Sequence, residues 1–200
     1  MALRNFSWTC RRVDRHRKTG LGDKLLDESH SLGIARQNAH PNGTQRYYED
    51  PNKEDIIGMA GELAFGKRYG LNVDKSIRPN GDGHVDFRVV MNNGNTFTID
   101  IKTAIKAYNL LIKEREINKC AIVLVLAQYD PANGEVCFLG WRTKGFMKTM
   151  PKKVFSSRLG IMNYYCQRDQ LRSMEELDQL FKAHEIKDAP IEMQIEPDRK

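Results

Sequence analysis

The chain has 200 residues, 40% of them apolar, and a net charge of +6, which is enough for one domain with appendages and a core of its own. No stretch approaches the ~18 apolar residues of a membrane span, and the opening MALRNFSWTC lacks the apolar run of a signal peptide. A soluble, cytoplasmic protein without a membrane partner is therefore expected. Cys10, Cys120, Cys137 and Cys166 lie far apart with no Cys-x-x-Cys pair, so neither a disulfide framework nor a thiolate zinc site is indicated, and packed, reduced cysteines are expected.

Residues 1–20 form a basic arm, with Arg4, Arg11, Arg12, Arg15, Arg17 and Lys18 against Asp14 alone. Such an arm suits a polyanion by counterion release, and equally suits a solvated, poorly ordered end. Asp23 can cap a helix running through Leu25, Leu26, Leu32 and Ile34 toward Gln37. A polar loop with Pro41, Asn42 and Gly43 follows, carrying Arg46, Tyr47 and Tyr48. The next helix is the best marked. Asp50 is its N-cap candidate, Pro51 fits the first position, Glu54 and Asp55 suit the positive dipole end, and Gly70 can close it. Ile56, Met59, Ala60 and Leu63 make its apolar stripe. Glu62 sits off that stripe, one turn from Gly58 and one turn from Gly66. Each interior glycine costs about 1 kcal/mol relative to alanine, so the pair suggests close approach of a backbone or a ligand.

The period then changes to two. Val85 to Met91 and Phe97 to Ile101 alternate apolar and polar around Asn92-Asn93-Gly94. A two-residue Asn93-Gly94 turn would put Phe97, Ile99 and Ile101 on the face away from Val85, Phe87 and Val89. A three-residue loop with left-handed Gly94 puts all six on one face. A one-residue slip exchanges faces, so burial selects the second register. It sets Asp86 opposite Asp100 and His84 opposite Lys102, on the face away from the core. Directly paired carboxylates repel, and a divalent cation between them relieves that; Mg²⁺ accepts one or two carboxylates and keeps waters. The ordinary alternative is a solvated sheet face bearing Asp86, Arg88, Asp100 and Lys102.

Residues 120–128, CAIVLVLAQ, read as a buried strand, YDPANG as a turn, and EVCFLGW as the returning strand, with Trp141 in the core. Ser173 and Glu176 form a capping box ahead of Leu177, Leu180, Phe181 and His184. An acidic segment follows, and residues 186–200 read as a loose tail. The pattern is α/β or α+β, with a central mixed sheet flanked by helices. It implies a single domain over 1–185.

A helix carrying Glu62, then GDGHVDF ending in Asp86, then IDIK with Asp100 and Lys102, resembles the PD-(D/E)XK nuclease superfamily over about residues 54–141. Val85 stands where the superfamily name has proline, and the stretch after Lys102 reads partly as strand where the common core has a helix. The resemblance implies a restriction-endonuclease-like core and a Mg²⁺ ion (Mn²⁺ as substitute) held by Asp86, Asp100, the Ile101 carbonyl and Glu62. It also implies Lys102 as the group that orients or deprotonates the attacking water. Asp82 is a reserve ligand, and His84 either contacts the scissile phosphate or is a surface histidine. The basic residues Arg11, Arg12 and Arg15 of the arm, Arg78 before the site and Lys106 after it are the candidates for meeting a phosphate backbone.

The expected function is a metal-dependent DNA endonuclease of the type carried by bacterial viruses, with a homodimer needed to cut both strands in one encounter. Its rival is a non-catalytic nucleic-acid-binding protein on the same fold. A third reading is an interaction protein that docks through its acidic tail.

Overall fold

Gly94 takes a left-handed backbone, φ 80°, and the Met91 amide donates to the Asn95 carbonyl across the loop at 2.8 Å. The flanking strands pair Phe87 with Ile99 and Val89 with Phe97. This is the register selected by burial, and all four side chains are buried in the main core. One residue beyond the last pair the ladder changes. The Asp86 amide donates to the Ile99 carbonyl at 2.9 Å, although Ile99 already faces Phe87. Asp86 therefore does not stand in a ladder pair with Asp100, as the regular register had implied. An irregularity of this kind ends the pairing and re-aims a side chain.

The computed structural model describes residues 18–39, 53–77, 85–155 and 160–188. Its elements are β1 (Lys18–Gly20), α1 (Asp23–Ala39), α2 (Lys53–Tyr69), β2 (Phe87–Val90), β3 (Thr96–Ala104), β4 (Asn109–Lys113), β5 (Val123–Asp130), β6 (Glu135–Thr143), α3 (Lys144–Met147), β7 (Lys152–Val154), β8 (Met162–Gln167), α4 (Met174–Ala183) and β9 (Lys187–Asp188). Short 3₁₀ turns lie at Glu114–Glu116 and Arg168–Gln170. Arg11, Arg12, Arg15, Arg46, Tyr47, Tyr48, Asp50, Pro51, Arg78, Asp82 and His84 lie outside the described residues, as do Cys10 and the tail beyond Asp188.

The fold is α+β. A six-stranded mixed sheet has the order β1-β6-β5-β3-β2-β9, and a three-stranded sheet has the order β4-β8-β7. Among the described residues of the larger sheet, only β3 and β5 pair in parallel. One face of that sheet, with Phe87, Ile99, Val125 and Phe138, packs against α2 and α4. The other face, with Leu124, Leu126, Cys137 and Leu139, packs against Leu110, Ile112 and Cys166 of the smaller sheet. β5 is buried over most of its length, as its apolar run with several β-branched residues suggested. The stretch after Lys102 is indeed partly strand, β4, and among the described residues no α-helix joins β3 to β5. Cys120, Cys137 and Cys166 are buried, and Trp141 is core, its indole N–H donating to the Ser173 carbonyl at 3.0 Å.

Local signals account for several element ends. Ser173 accepts from the Glu176 amide, and the Glu176 side chain accepts from the Ser173 amide, the reciprocal capping box. Gly70, at φ 66°, ends α2, and the Leu71 amide turns back to the Gly66 carbonyl at 3.0 Å. The glycines of α2 divide their roles differently from the sequence reading. A Cβ on Gly58 would meet nothing within 4 Å, whereas one on Gly66 would press on the Leu71 carbonyl at 2.8 Å. The tightest contact is at Gly61, where a Cβ would overlap Thr103 Oγ1 of β3. The tail also needs correction. Ile186 packs on the main core, and Lys187 and Asp188 pair with Val90 and Val89 at the sheet edge. No helix among the described residues is long and apolar enough to cross a membrane.

Two stability predictions arise here. Gly61→Ala should cost about 1–3 kcal/mol through overpacking against β3, and Thr103→Ala should recover part of that loss. Denaturant unfolding of the double-mutant cycle measures this, and strictly additive losses would exclude the contact as the cause. At the far end of α2, the Tyr69 hydroxyl donates to Asp178 Oδ1 at 2.7 Å, and burial, helped by that bond, raises the phenol pKa. Because the folded value is raised, the stabilisation is whole below the unfolded value of about 10 and is lost as pH climbs from there toward the folded value. Tyr69→Phe should therefore lose stability less steeply above about pH 10; equal slopes would exclude Tyr69 as the source.

Candidate functional site

The alternation along β3 sends Ile99 and Ile101 into the core under α2 and Asp100 and Lys102 to the opposite face. That opposite face is not a solvated surface. Asp100 is 2% exposed, and its register neighbours on β5 are Leu124, opposite Asp100, and Leu126, opposite Lys102. A carboxylate among leucines is costly unless its charge is met. Here the Lys102 ammonium lies 2.8 Å from Asp100 Oδ2, with the lysine side chain 35% exposed. The pair thus joins a buried anion to a cation that still reaches open space.

Asp86 reaches the same place by a different route. Its Oδ2 accepts the Ile101 amide at 2.6 Å, a short, charge-assisted bond. Its own amide bonds to Ile99, so Asp86 straddles the Asp100 position with one bond on either side. In an extended strand the N–H and C=O of one residue point to the same edge. The Ile101 carbonyl therefore points to the edge at which β2 has ended.

Glu62 of α2 is buried and paired. Arg36 Nη1 of α1 donates to Glu62 Oε1 at 2.9 Å, and Arg36 Nη2 donates to the Asp74 carbonyl at 2.9 Å. Arg36 was not anticipated. It lies 26 positions before Glu62 in a different helix, and no local spacing marks such a pair.

All these groups face one cavity of about 580 Å³, lined among others by Arg36, Glu62, Asp86, Asp100, Lys102 and Lys106. Gly58 also lines it, consistent with the open space above that residue. Among the described residues, no three His, Cys, Asp or Glu side chains converge closely enough to hold a metal ion. Asp86, Asp100 and Ile101 all line the cavity and offer two carboxylates and a carbonyl. All three are oxygen donors, which suits a hard cation such as Mg²⁺ that completes its shell with water. Glu62 lines the cavity but is engaged by Arg36. Lys106 is exposed and lines the same cavity.

Removing one member of a buried ion pair strands the other. Arg36→Met should cost about 3 kcal/mol, and Glu62→Gln in that background should restore part of it. Thermal or denaturant unfolding of the cycle tests this, and a neutral Arg36→Met would show that the pair does not position α2. No protein-family model, curated protein or solved structure matches this chain, so the site is read from its own geometry.

Proposed function

We propose that this chain is a Mg²⁺-dependent DNA endonuclease with a restriction-endonuclease-like core of the PD-(D/E)XK type, acting by hydrolysis with water. The observation that carries the reading is the pairing of buried Asp100 with partly exposed Lys102 at a cavity that Asp86 and the Ile101 backbone share. Phosphodiesters are anionic and resist hydroxide. Cleavage therefore needs an oxygen-ligated cation, an activated water and a fixed positive charge near the developing phosphorane.

Asp86, Asp100 and the Ile101 carbonyl are the groups that would hold Mg²⁺, with Glu62 able to extend the set. When bound, the ion would supply Lewis acidity and a more acidic water. Lys102 has the reach to orient that water or to neutralise charge on the reacting phosphoryl oxygens. Its contact with Asp100 keeps the ammonium at the site in the absence of substrate. Lys106, together with Arg78, His84 and the arm residues Arg11, Arg12 and Arg15, would meet the DNA backbone, where contacts position without reading sequence. α2, β2, β3, β5 and β6 supply the core elements of this reading, with β4 in place of a helix between β3 and β5.

A second reading, nucleic-acid binding without turnover, has one observation in its favour. Glu62 is engaged by Arg36, and no third acid joins Asp86 and Asp100 among the described residues.

Asp100→Ala and Lys102→Ala should each lower cleavage of supercoiled plasmid in Mg²⁺ by at least about 100-fold, the scale of one electrostatic group at a transition state. Both should keep a cooperative unfolding transition. Chelator should abolish wild-type cleavage. Either variant cutting at the wild-type rate would sink the assignment, and wild-type binding with no cleavage in Mg²⁺ or Mn²⁺ would select the second reading.

A further inference from the structure

The smaller sheet does more than cover the face that carries Asp100. In its register Leu111 stands opposite Tyr165, Lys113 opposite Asn163, and Lys153 opposite Asn163 on the other side. Alternation therefore puts Asn109, Leu111, Lys113, Asn163, Tyr165 and Lys153 on one face, where Phe155 joins them through its contact with Tyr165, and Leu110, Ile112 and Cys166, which are buried in the core, on the other. Asn109, Leu111, Lys113 and Asn163 of the first face also line the cavity that holds Asp86, Asp100 and Lys102. One face thus runs continuously from the candidate site, through Leu111, to Tyr165.

Beyond Leu111 that face carries two aromatic rings and the lysines Lys153 and Lys113, the latter 3.2 Å from Glu116. The Tyr165 and Phe155 rings meet edge to face with centroids 5.3 Å apart. Phe155 is 38% exposed, and the Lys153 ammonium lies 5.9 Å from its ring centre. Lys153 is exposed and Lys113 partly so, while Tyr165 is half-buried. Aromatic rings interleaved with lysines match a strand of unpaired nucleotides, because every base has a π-face to stack and every linkage a phosphate to neutralise. The cavity points the same way. Its 580 Å³ lies in the range of about 300–1,000 Å³ that encloses small ligands, the scale of a nucleotide rather than the width of a duplex.

We propose that the face carrying Leu111, Lys113, Lys153, Phe155 and Tyr165 is a single-stranded DNA platform that feeds an unpaired segment into the cavity. Its place in cleavage rests on the nuclease reading, but binding to it does not. Bases stack on Tyr165 and Phe155, Lys113 and Lys153 follow the phosphates, and the scissile linkage descends past Leu111 toward Lys102.

The test is fluorescence anisotropy in chelator, so that no cleavage occurs, with a labelled 20-nucleotide oligothymidine strand and a duplex of equal length (a probe size of about one to a few platform sites). Wild-type protein should bind the single strand more tightly than the duplex. Tyr165→Ala and Phe155→Ala should each weaken single-strand binding by about 5- to 100-fold, as for loss of one base stack, and Tyr165→Phe should retain it. Phe155 is exposed enough for its truncation to leave the fold intact, so it carries the test should Tyr165→Ala unfold. Wild-type single-strand affinity in Phe155→Ala, or tighter binding of the duplex, would overturn the platform. Cleavage of the same oligothymidine strand in Mg²⁺, measured in parallel, separates the two ideas. Cutting without an effect of the aromatic variants on single-strand binding removes the platform alone, and that effect without cutting removes the nuclease alone.

Discussion

The placement of the site depends on a carboxylate held out of water beside an ammonium. Asp100 lies in the middle of β3, with the larger core below it and the smaller sheet above its neighbours Leu124 and Leu126. In that setting an isolated anion would be strongly destabilising, and desolvation of both partners usually cancels much of what an ion pair returns. The arrangement is tolerated because Lys102 is two residues along the same strand, on the same face, with its end toward the cavity. A strand period of two makes the pairing nearly automatic once β3 is central. The cost falls on stability and the benefit on a fixed charge at an accessible place, a division expected of functional sites more than of structural ones.

The rest of the fold keeps β3 in that position. Gly61 lets the α2 backbone lie directly on Thr103, so the helix cannot drift from the strand. Arg36 ties α1 to α2 through Glu62 and to the segment after α2 through the Asp74 carbonyl. Asp86 ends β2 by taking the Ile101 amide, which otherwise would have faced an unpaired edge. Each contact joins two different elements, and Arg36, Glu62, Asp86 and Thr103 from them line one cavity.

The crossover between the parallel strands β3 and β5 gives the fold its second layer. A parallel pair requires a long connection, usually helical. Here the connection contributes β4, which recruits β8 and β7 from later in the chain. One face of that sheet closes over Leu124 and Leu126, leaving the other to extend the cavity wall outward. The same residues thus serve as cover for the core and as surface beside the site.

Several of these features were legible in the residues alone, and they share a cause. The Gly94 turn, the capping box at Ser173 and the end of α2 at Gly70 are set by chemistry within a few positions, where φ, a hydroxyl or an amide decides the outcome. The hairpin register followed because only one slip buries Phe87, Val89, Phe97 and Ile99 together. Other features depended on what lay across from a residue. The pattern of β3 marked Asp100 and Lys102 as sharing a face, but it could not say that a second sheet would cover the neighbouring leucines and bury the aspartate. It implied Asp86 opposite Asp100, whereas the end of the ladder shifted and the carboxylate took a backbone amide. Nothing near Arg36 announced Glu62, and the helical spacing drew attention to Gly58 and Gly66 rather than to Gly61, whose role depends on Thr103 lying against it. Short edge strands such as β7 and β9 carry too few residues for any period to show. Sequence determined the local geometry and the sidedness of each strand, because those are settled by neighbours in the chain. Tertiary structure alone decided burial, ion-pair partners and the joining of two sheets at one cavity, because those energies depend on groups that the chain brings together only by folding.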